Sequence, residues 1–292
     1  MRFDEDDVAD GSEVEDRRGF PGGGLGLAGS GLGLLGLIVV GVVRLLGGEV
    51  TTSDGHRPPR HDNDKSARAP SHAPVGGSCQ GVSSSTDQGK FVTCVQTHVQ
   101  RFWAAKLGPS YEPAKMVLFT DATSSGCGQA SAATGPFYCP ADQKVYLDTG
   151  FFQALHTRFH AQGGDFAEAY IVAHEYGHHV QKLRGIETRV RREQERDRRR
   201  ANEWSVALEL QADCFAGVWA HAAYAQGKVA TEEIAQALDA AAAVGDDRIQ
   251  QQATGHVRPE RFTHGSARER MTWLQRGMET GDPARCDTFA SR

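Results

Sequence analysis

Residues 165–185 read DFAEAYIVAHEYGHHVQKLRG, and this stretch decides how the rest of the chain is read. Asp165 and Glu168 stand at capping-box spacing, which predicts a helix start. The apolar run at 170–173 follows, and Gly185 is a natural stop. So apolar a helix has to be buried. Inside it, His174-Glu175-Tyr176-Gly177-His178 forms an H-E-x-x-H motif. Histidines four apart lie one turn apart on one helix face. Both imidazoles can then reach a single Zn²⁺ at about 2.0–2.1 Å. Glu175, on the flank, is placed to take a proton from a metal-activated water and pass it to a leaving amine. His179 is rotated about 140° from His174 on a 3.6-residue helix, which predicts packing or surface rather than ligation.

Two histidines leave a catalytic zinc site short of a ligand, since three protein ligands and one open position are required. The next strong helix, predicted over 202–225, carries Glu209-Leu210-Gln211-Ala212-Asp213. Glu209 and Asp213 share a face. Glu209 is the candidate third ligand. Asp213, one turn on, can accept the far N–H of a ligating histidine and hold its tautomer. Asp213 as the ligand in place of Glu209 is the alternative. His98, His156, His160, His221 and His256 have no ligand partner at useful spacing and read as surface or packed side chains.

Around this pair of helices the periodicity predicts further helices over 87–107, 151–160, 231–244 and from Ser266, where Glu269 repeats the capping-box spacing. Short strands are predicted over 116–120 and 145–148. Between them lies a Gly- and Ser-rich stretch with Cys127 and Cys139. Many helices and few strands imply an α+β domain, mainly helical. The Arg-rich run at 189–200, interleaved with Glu193, Glu195 and Asp197, reads as a solvated helix with i,i+4 ion pairs.

The 292 residues are 39% hydrophobic and carry a net charge of −5, which excludes collagen-like, coiled-coil and wholly disordered classes. The mildly acidic balance also argues against nucleic acid as a partner. Residues 1–18 hold the whole acidic excess. Residues 22–43 carry no charge, a length that spans a bilayer at 1.5 Å per residue. The acidic leader and the lack of an A-x-A site argue against a cleaved signal peptide. The expectation is therefore an acidic cytoplasmic tail at 1–21, one transmembrane helix at 22–46, a Pro-, Ser- and His-rich disordered linker at 47–77, and a folded domain at 78–292. All six cysteines follow the anchor, and an even number on one side points to disulfides in an oxidising compartment. The domain is thus expected outside the cell membrane, with the N-terminus in the cytoplasm.

Several stretches together are similar to the neutral zinc metallopeptidases of bacterial membrane-anchored proteins. They are Val14-Glu15-Asp16-Arg17-Arg18, Gly126-Cys127-Gly128, residues 135–142 (GPFYCPAD), Ala173-His174-Glu175, Gly177-His178-His179-Val180-Gln181, residues 209–217, Gly245-Asp246-Asp247-Arg248 and Phe262-Thr263-His264-Gly265. The resemblance implies a zincin-like metallopeptidase domain with a small sheet, one Zn²⁺, and a peptide or protein substrate. H-E-x-x-H followed by E-x-x-x-D also resembles thermolysin-like and membrane-embedded metalloproteases, some of which carry a late His with an Arg six residues on. His264 and Arg270 have that spacing. His264 then stabilises an oxyanion, or else merely caps a helix from its loop. Six cysteines allow 15 pairings. Partly on the resemblance, Cys79–Cys94, Cys127–Cys139 and Cys214–Cys286 are the expected bridges, with a free buried Cys214 as the alternative. The functional expectation is a zinc endopeptidase with 145–148 as the strand that receives substrate. The competing readings are a non-cleaving zinc-stabilised scaffold for peptides or partners, and a zinc hydrolase acting on a non-peptide amide or ester.

Overall fold

The computed structural model describes residues 1–19 and 75–290. The transmembrane helix expected at 22–46, and the linker up to residue 74, lie outside the described residues. Among the described residues, no helix is long and apolar enough to cross a membrane.

The fold is α+β and mainly helical. The strands are β1 (Val8–Ala9), β2 (Val14–Asp16), β3 (Gly77–Ser78), β4 (Lys115–Phe119), β5 (Ala122–Ser125), β6 (Gly128–Ser131), β7 (Phe137–Cys139) and β8 (Lys144–Asp148). The helices are α1 (Gln88–Leu107), α2 (Phe151–Thr157), α3 (Asp165–Leu183), α4 (Ile186–Arg196), α5 (Ala201–Ala225), α6 (Thr231–Ala243), α7 (Asp246–Thr254) and α8 (Ala267–Thr280). Helix α7, the hairpin β5–β6 and the short strands β1, β2, β3 and β7 are additions to what the sequence predicts.

The central sheet has the order β2-β4-β8-β7, with β2, β4 and β8 parallel and β7 antiparallel. Side chains alternate across it, as a pleat requires. Met116, Leu118, Val145 and Leu147 face the helical core. Val117, Phe119 and Tyr146 face a smaller cluster with Ala130, Phe137 and Cys139. Strand β8 was expected to offer a free edge to substrate. It is instead flanked by β4 and β7, and the outermost strand on that side is β7.

Helices α3 and α5 form the centre of the helical layer. Phe166, Tyr170, Ala173, Tyr176 and Val180 of α3 are buried, as are Phe215, Val218 and Trp219 of α5. Each large side chain of this kind contributes roughly 1.5–3 kcal/mol on burial. Gly177, inside the motif, sets the approach of the two helices. A Cβ there would lie 3.0 Å from the Ala212 carbonyl oxygen. Any larger residue would push α5 away from the motif histidines.

Most predicted helix ends are found. Gly185 adopts the left-handed conformation just past α3, and Ser266 and Glu269 form a reciprocal capping box at α8. Asp165 departs from expectation. Helix α3 starts after Gly164 without a side-chain cap, and Asp165 instead accepts bonds from the Ser84 N–H (3.0 Å) and hydroxyl (2.7 Å). A tertiary tie has replaced a local cap.

Residues 1–18, within the stretch expected as a tail, are folded onto the domain. Strand β1 pairs with β3 and β2 pairs with β4. The acids that looked like a solvated tail have partners in the body: Asp4 and Asp7 hold Lys228, and Glu15 holds Lys144. Composition alone could not show this, since those lysines lie more than a hundred residues away in sequence.

The cysteine pairs Cys79–Cys94, Cys127–Cys139 and Cys214–Cys286 all lie at bonding distance. The last closes the widest loop, 72 residues. It straps the C-terminal segment along α5, helped by the Thr288 hydroxyl bonding to the Ala207 carbonyl and by Trp204 stacked on Phe289.

Glu168 is buried beside the Gln88 amide. Burial outweighs its hydrogen bonds and raises its pKa from 4.5 to about 7. The folded state therefore binds this proton more tightly than the unfolded chain. The associated stability is fully present below pH 4.5 and declines as pH rises through about 7, a change on the order of 3 kcal/mol. Glu168→Gln is expected to be the more stable protein at pH 8, with the difference shrinking by pH 4.5. Urea unfolding across that range checks it; identical pH profiles for the two proteins would contradict it.

Candidate metal centre

His174 and His178 project from one face of α3, and Glu209 meets them from α5. Their donor atoms all lie within 4.8 Å of one another. His174 Nε2 is 3.2 Å from His178 Nε2 and 3.2 Å from a Glu209 carboxylate oxygen; His178 Nε2 is 3.5 Å from the other. Three ligands at about 2.0–2.1 Å on a tetrahedral ion stand about 3.3 Å apart, so the spacing fits zinc.

The outer hydrogen bonds fit it equally well. His174 Nδ1 is 2.8 Å from Asp213 Oδ1. A carboxylate oxygen only accepts, so Nδ1 carries the proton and Nε2 presents its lone pair. His178 Nδ1 is 2.8 Å from Gln181 Oε1. The Gln181 amide is oriented by its NH₂ group, which donates to the Leu208 carbonyl (2.7 Å) and to Gln211 Oε1 (3.2 Å). Two imidazole lone pairs and a carboxylate thus converge on one point, largely shielded from water. Without a cation such a cluster of acceptors is repulsive. His174, Glu175 and Glu209 are each less than a tenth exposed.

The surrounding carboxylates favour positive charge at this point. Burial opposes a charge on His174, but the Asp213 carboxylate overcomes it and raises the pKa to about 10. Burial likewise works against an ionised Asp213, yet the Arg270 guanidinium and His174 hold it down to about 2. Arg270 is bidentate, with Nε and Nη2 each 2.9 Å from an Asp213 oxygen. The Tyr170 hydroxyl donates to the same carboxylate at 2.6 Å. At Glu175 the field is opposite in sense: burial raises its pKa, the facing imidazoles lower it, and the net shift is upward. An elevated carboxyl pKa suits a group that must both take and give a proton.

His264 sits in the loop before α8, where the charge of Glu209 reaches it and raises its pKa against the effect of burial. Its Nδ1 lies 3.0 Å from the Thr263 hydroxyl and 3.4 Å from Asp246 Oδ1. The other Asp246 oxygen accepts the backbone N–H groups of Thr263, His264 and Gly265. Asp246 therefore shapes the loop that presents His264. Sequence reasoning did not give Asp246, Gln181 or Tyr170 a role. The signals for Gln181 were its i+3 spacing from His178 and its place in the family-like stretch 177–181; Asp246 lay in the stretch 245–248. His179 lies away from the cluster as expected, bonded to the Glu112 carbonyl (2.6 Å) and the Tyr138 hydroxyl (3.1 Å).

Comparison with known proteins agrees with this site. The family model described as "Putative neutral zinc metallopeptidase" matches residues 1–289. The chain belongs to that family. Among its relatives, the uncharacterized protein YpfJ of Escherichia coli K12 is 40% identical over 287 residues, covering 94% of this chain and 95% of YpfJ. The uncharacterized protein Rv2575 of Mycobacterium tuberculosis H37Rv is 47% identical over 219 residues, covering 70% of this chain and 73% of that protein. No solved structure matches. The family implies zinc, and the His174–His178–Glu209 cluster is where the described residues would hold it.

If the outer bonds set the ligand tautomers, their loss should appear in metal affinity. Gln181→Leu is expected to weaken zinc binding by roughly 10–100-fold. Competition against a chromophoric chelator measures it, and unchanged affinity would contradict the assignment. Arg270→Ala leaves the Asp213 charge buried with half its partners, and is expected to cost about 3–5 kcal/mol in denaturant unfolding.

Proposed function

We propose that the protein is a zinc-dependent endopeptidase held at a membrane by the apolar stretch at 22–46, with its folded domain outside the cytoplasm. The observation that carries the peptidase reading is Glu175. It is buried beside a three-ligand donor set, where a structural zinc would have four protein ligands and no use for a base. Zinc held by His174, His178 and Glu209 would supply Lewis acidity and a water acidic enough to act near neutral pH.

The remaining steps belong to the chain. Glu175 takes the proton from the attacking water and delivers it to the departing amine nitrogen. His264, charged or donating from Nε2, stabilises the carbonyl oxygen as negative charge develops on it. Asp246 orients His264, and Asp213 and Gln181 hold the outer nitrogens of the ligand imidazoles and keep the rings aimed. Substrate lies extended along β7, whose Tyr138 backbone acts on the Glu175 carboxylate and lowers its pKa against burial. The paired cysteines favour an oxidising compartment, which supports the extracytoplasmic placement.

The test compares wild type with Glu175→Gln and His264→Ala in zinc content and in cleavage of an unfolded protein. Glu175→Gln is expected to keep one zinc and lose at least roughly 10²–10⁴ in kcat. His264→Ala is expected to keep zinc and lose about 10²–10³ in kcat. Zinc binding by all three with cleavage by none would favour the non-cleaving scaffold.

A further inference from the structure

Residues 1–18 and the metal domain cannot sit on opposite sides of a membrane if the sheet is intact. Strand β2 is hydrogen-bonded to β4 in parallel register, Val14 against Met116 through Asp16 against Leu118. The Arg17 N–H continues the ladder to the Leu118 carbonyl at 2.7 Å. Strand β1 pairs with β3, and the Cys79 N–H donates to the Asp7 carbonyl at 2.8 Å. A single crossing between residues 18 and 75 would separate every one of these pairs.

The body is also built to receive the segment. Lys228 is buried, and its ammonium group meets Asp4 at 2.8 Å and Asp7 at 2.5 Å. Without residues 1–18 these carboxylates are gone and a nearly buried cation is left unpaired, an arrangement proteins avoid. Strand β4, whose Met116, Val117 and Leu118 are fully buried, would become an unprotected edge. Met1 and Phe3 are themselves buried, and Phe3 packs edge-on against Phe91 of α1 at 6.0 Å. The Gln96 amide donates to the Glu13 carbonyl at 3.2 Å, and the Thr97 hydroxyl accepts the Asp10 N–H at 3.0 Å. Charge, apolar burial and backbone pairing all join the same two parts of the chain.

We infer that residues 1–18 are an integral edge strand and charge clamp of the metallopeptidase domain, lying on the same side of the membrane as the metal centre. No single membrane crossing separates residues 1–18 from the metal centre. This replaces the single-pass arrangement with an N-terminus in the cytoplasm.

The full-length chain in intact cells tests it. Val8 and Ser78 face each other across an antiparallel pair and are both exposed. Facing residues stand about 4.5–5.5 Å apart, within disulfide range. Val8→Cys with Ser78→Cys is expected to form an intramolecular cross-link, read as a reduction-sensitive gel shift that Val8→Cys alone does not show. Separately, Asp6→Cys and Arg268→Cys probe exposed positions on the two parts. A membrane-impermeant maleimide is expected to label both to the same extent without permeabilisation. If one labels only after permeabilisation, or if the double variant labels on one side and never cross-links, the inference is overturned.

Discussion

The Asp213 carboxylate is the point on which the structure converges. It is fully buried, and it accepts bonds from His174 on α3, from Arg270 on α8 and from Tyr170 on α3. An isolated carboxylate in that position would cost several kcal/mol. Arg270 supplies the neutralising charge, and in doing so ties α8 to α5 beneath the metal site. The interaction that orients the His174 ring is also the one that fixes three helices relative to one another. Close backbone contacts make it possible: Gly177 lets α3 meet α5, and Gly217 and Gly277 let α5 meet α8 without intervening side chains.

The electrostatic character of the candidate metal centre follows from what surrounds that node. The two ligand imidazoles have their outer nitrogens held by different acceptors, a carboxylate for His174 and an amide for His178. The carboxylate makes its imidazole the more electron-rich ligand, whereas the neutral amide only orients its partner. Glu175 lies on the same helix but faces the β7 edge rather than Asp213, so its environment raises its pKa while that of Asp213 is lowered. Two carboxyl groups beside the candidate metal site are thus pushed in opposite directions, Asp213 held as an anion and Glu175 shifted toward its protonated form.

Much of this was legible in the sequence because it is helical and short-range. H-E-x-x-H and E-x-x-x-D each place their side chains by i,i+4 geometry, which is independent of tertiary context. Ser266 with Glu269 is equally local. What escaped was non-local. Asp246 reaches His264 only because α7 folds back against the loop before α8. Asp165 had cap spacing but was drawn to Ser84. The acidic N-terminus looked like a solvated tail because Lys228 and Lys144, its partners, are invisible to a local reading. Strand 145–148 was located correctly, but its place within the sheet depended on β7, a three-residue strand in a Gly- and Ser-rich stretch.

The most direct measurement is zinc K-edge X-ray absorption on the purified wild-type protein at neutral pH. One zinc is expected, with two imidazole nitrogens, a carboxylate oxygen and a solvent oxygen, all at about 2.0–2.1 Å, and no sulfur. A sulfur shell at about 2.3 Å, four protein ligands with no solvent position, or a protein that retains no zinc would contradict it.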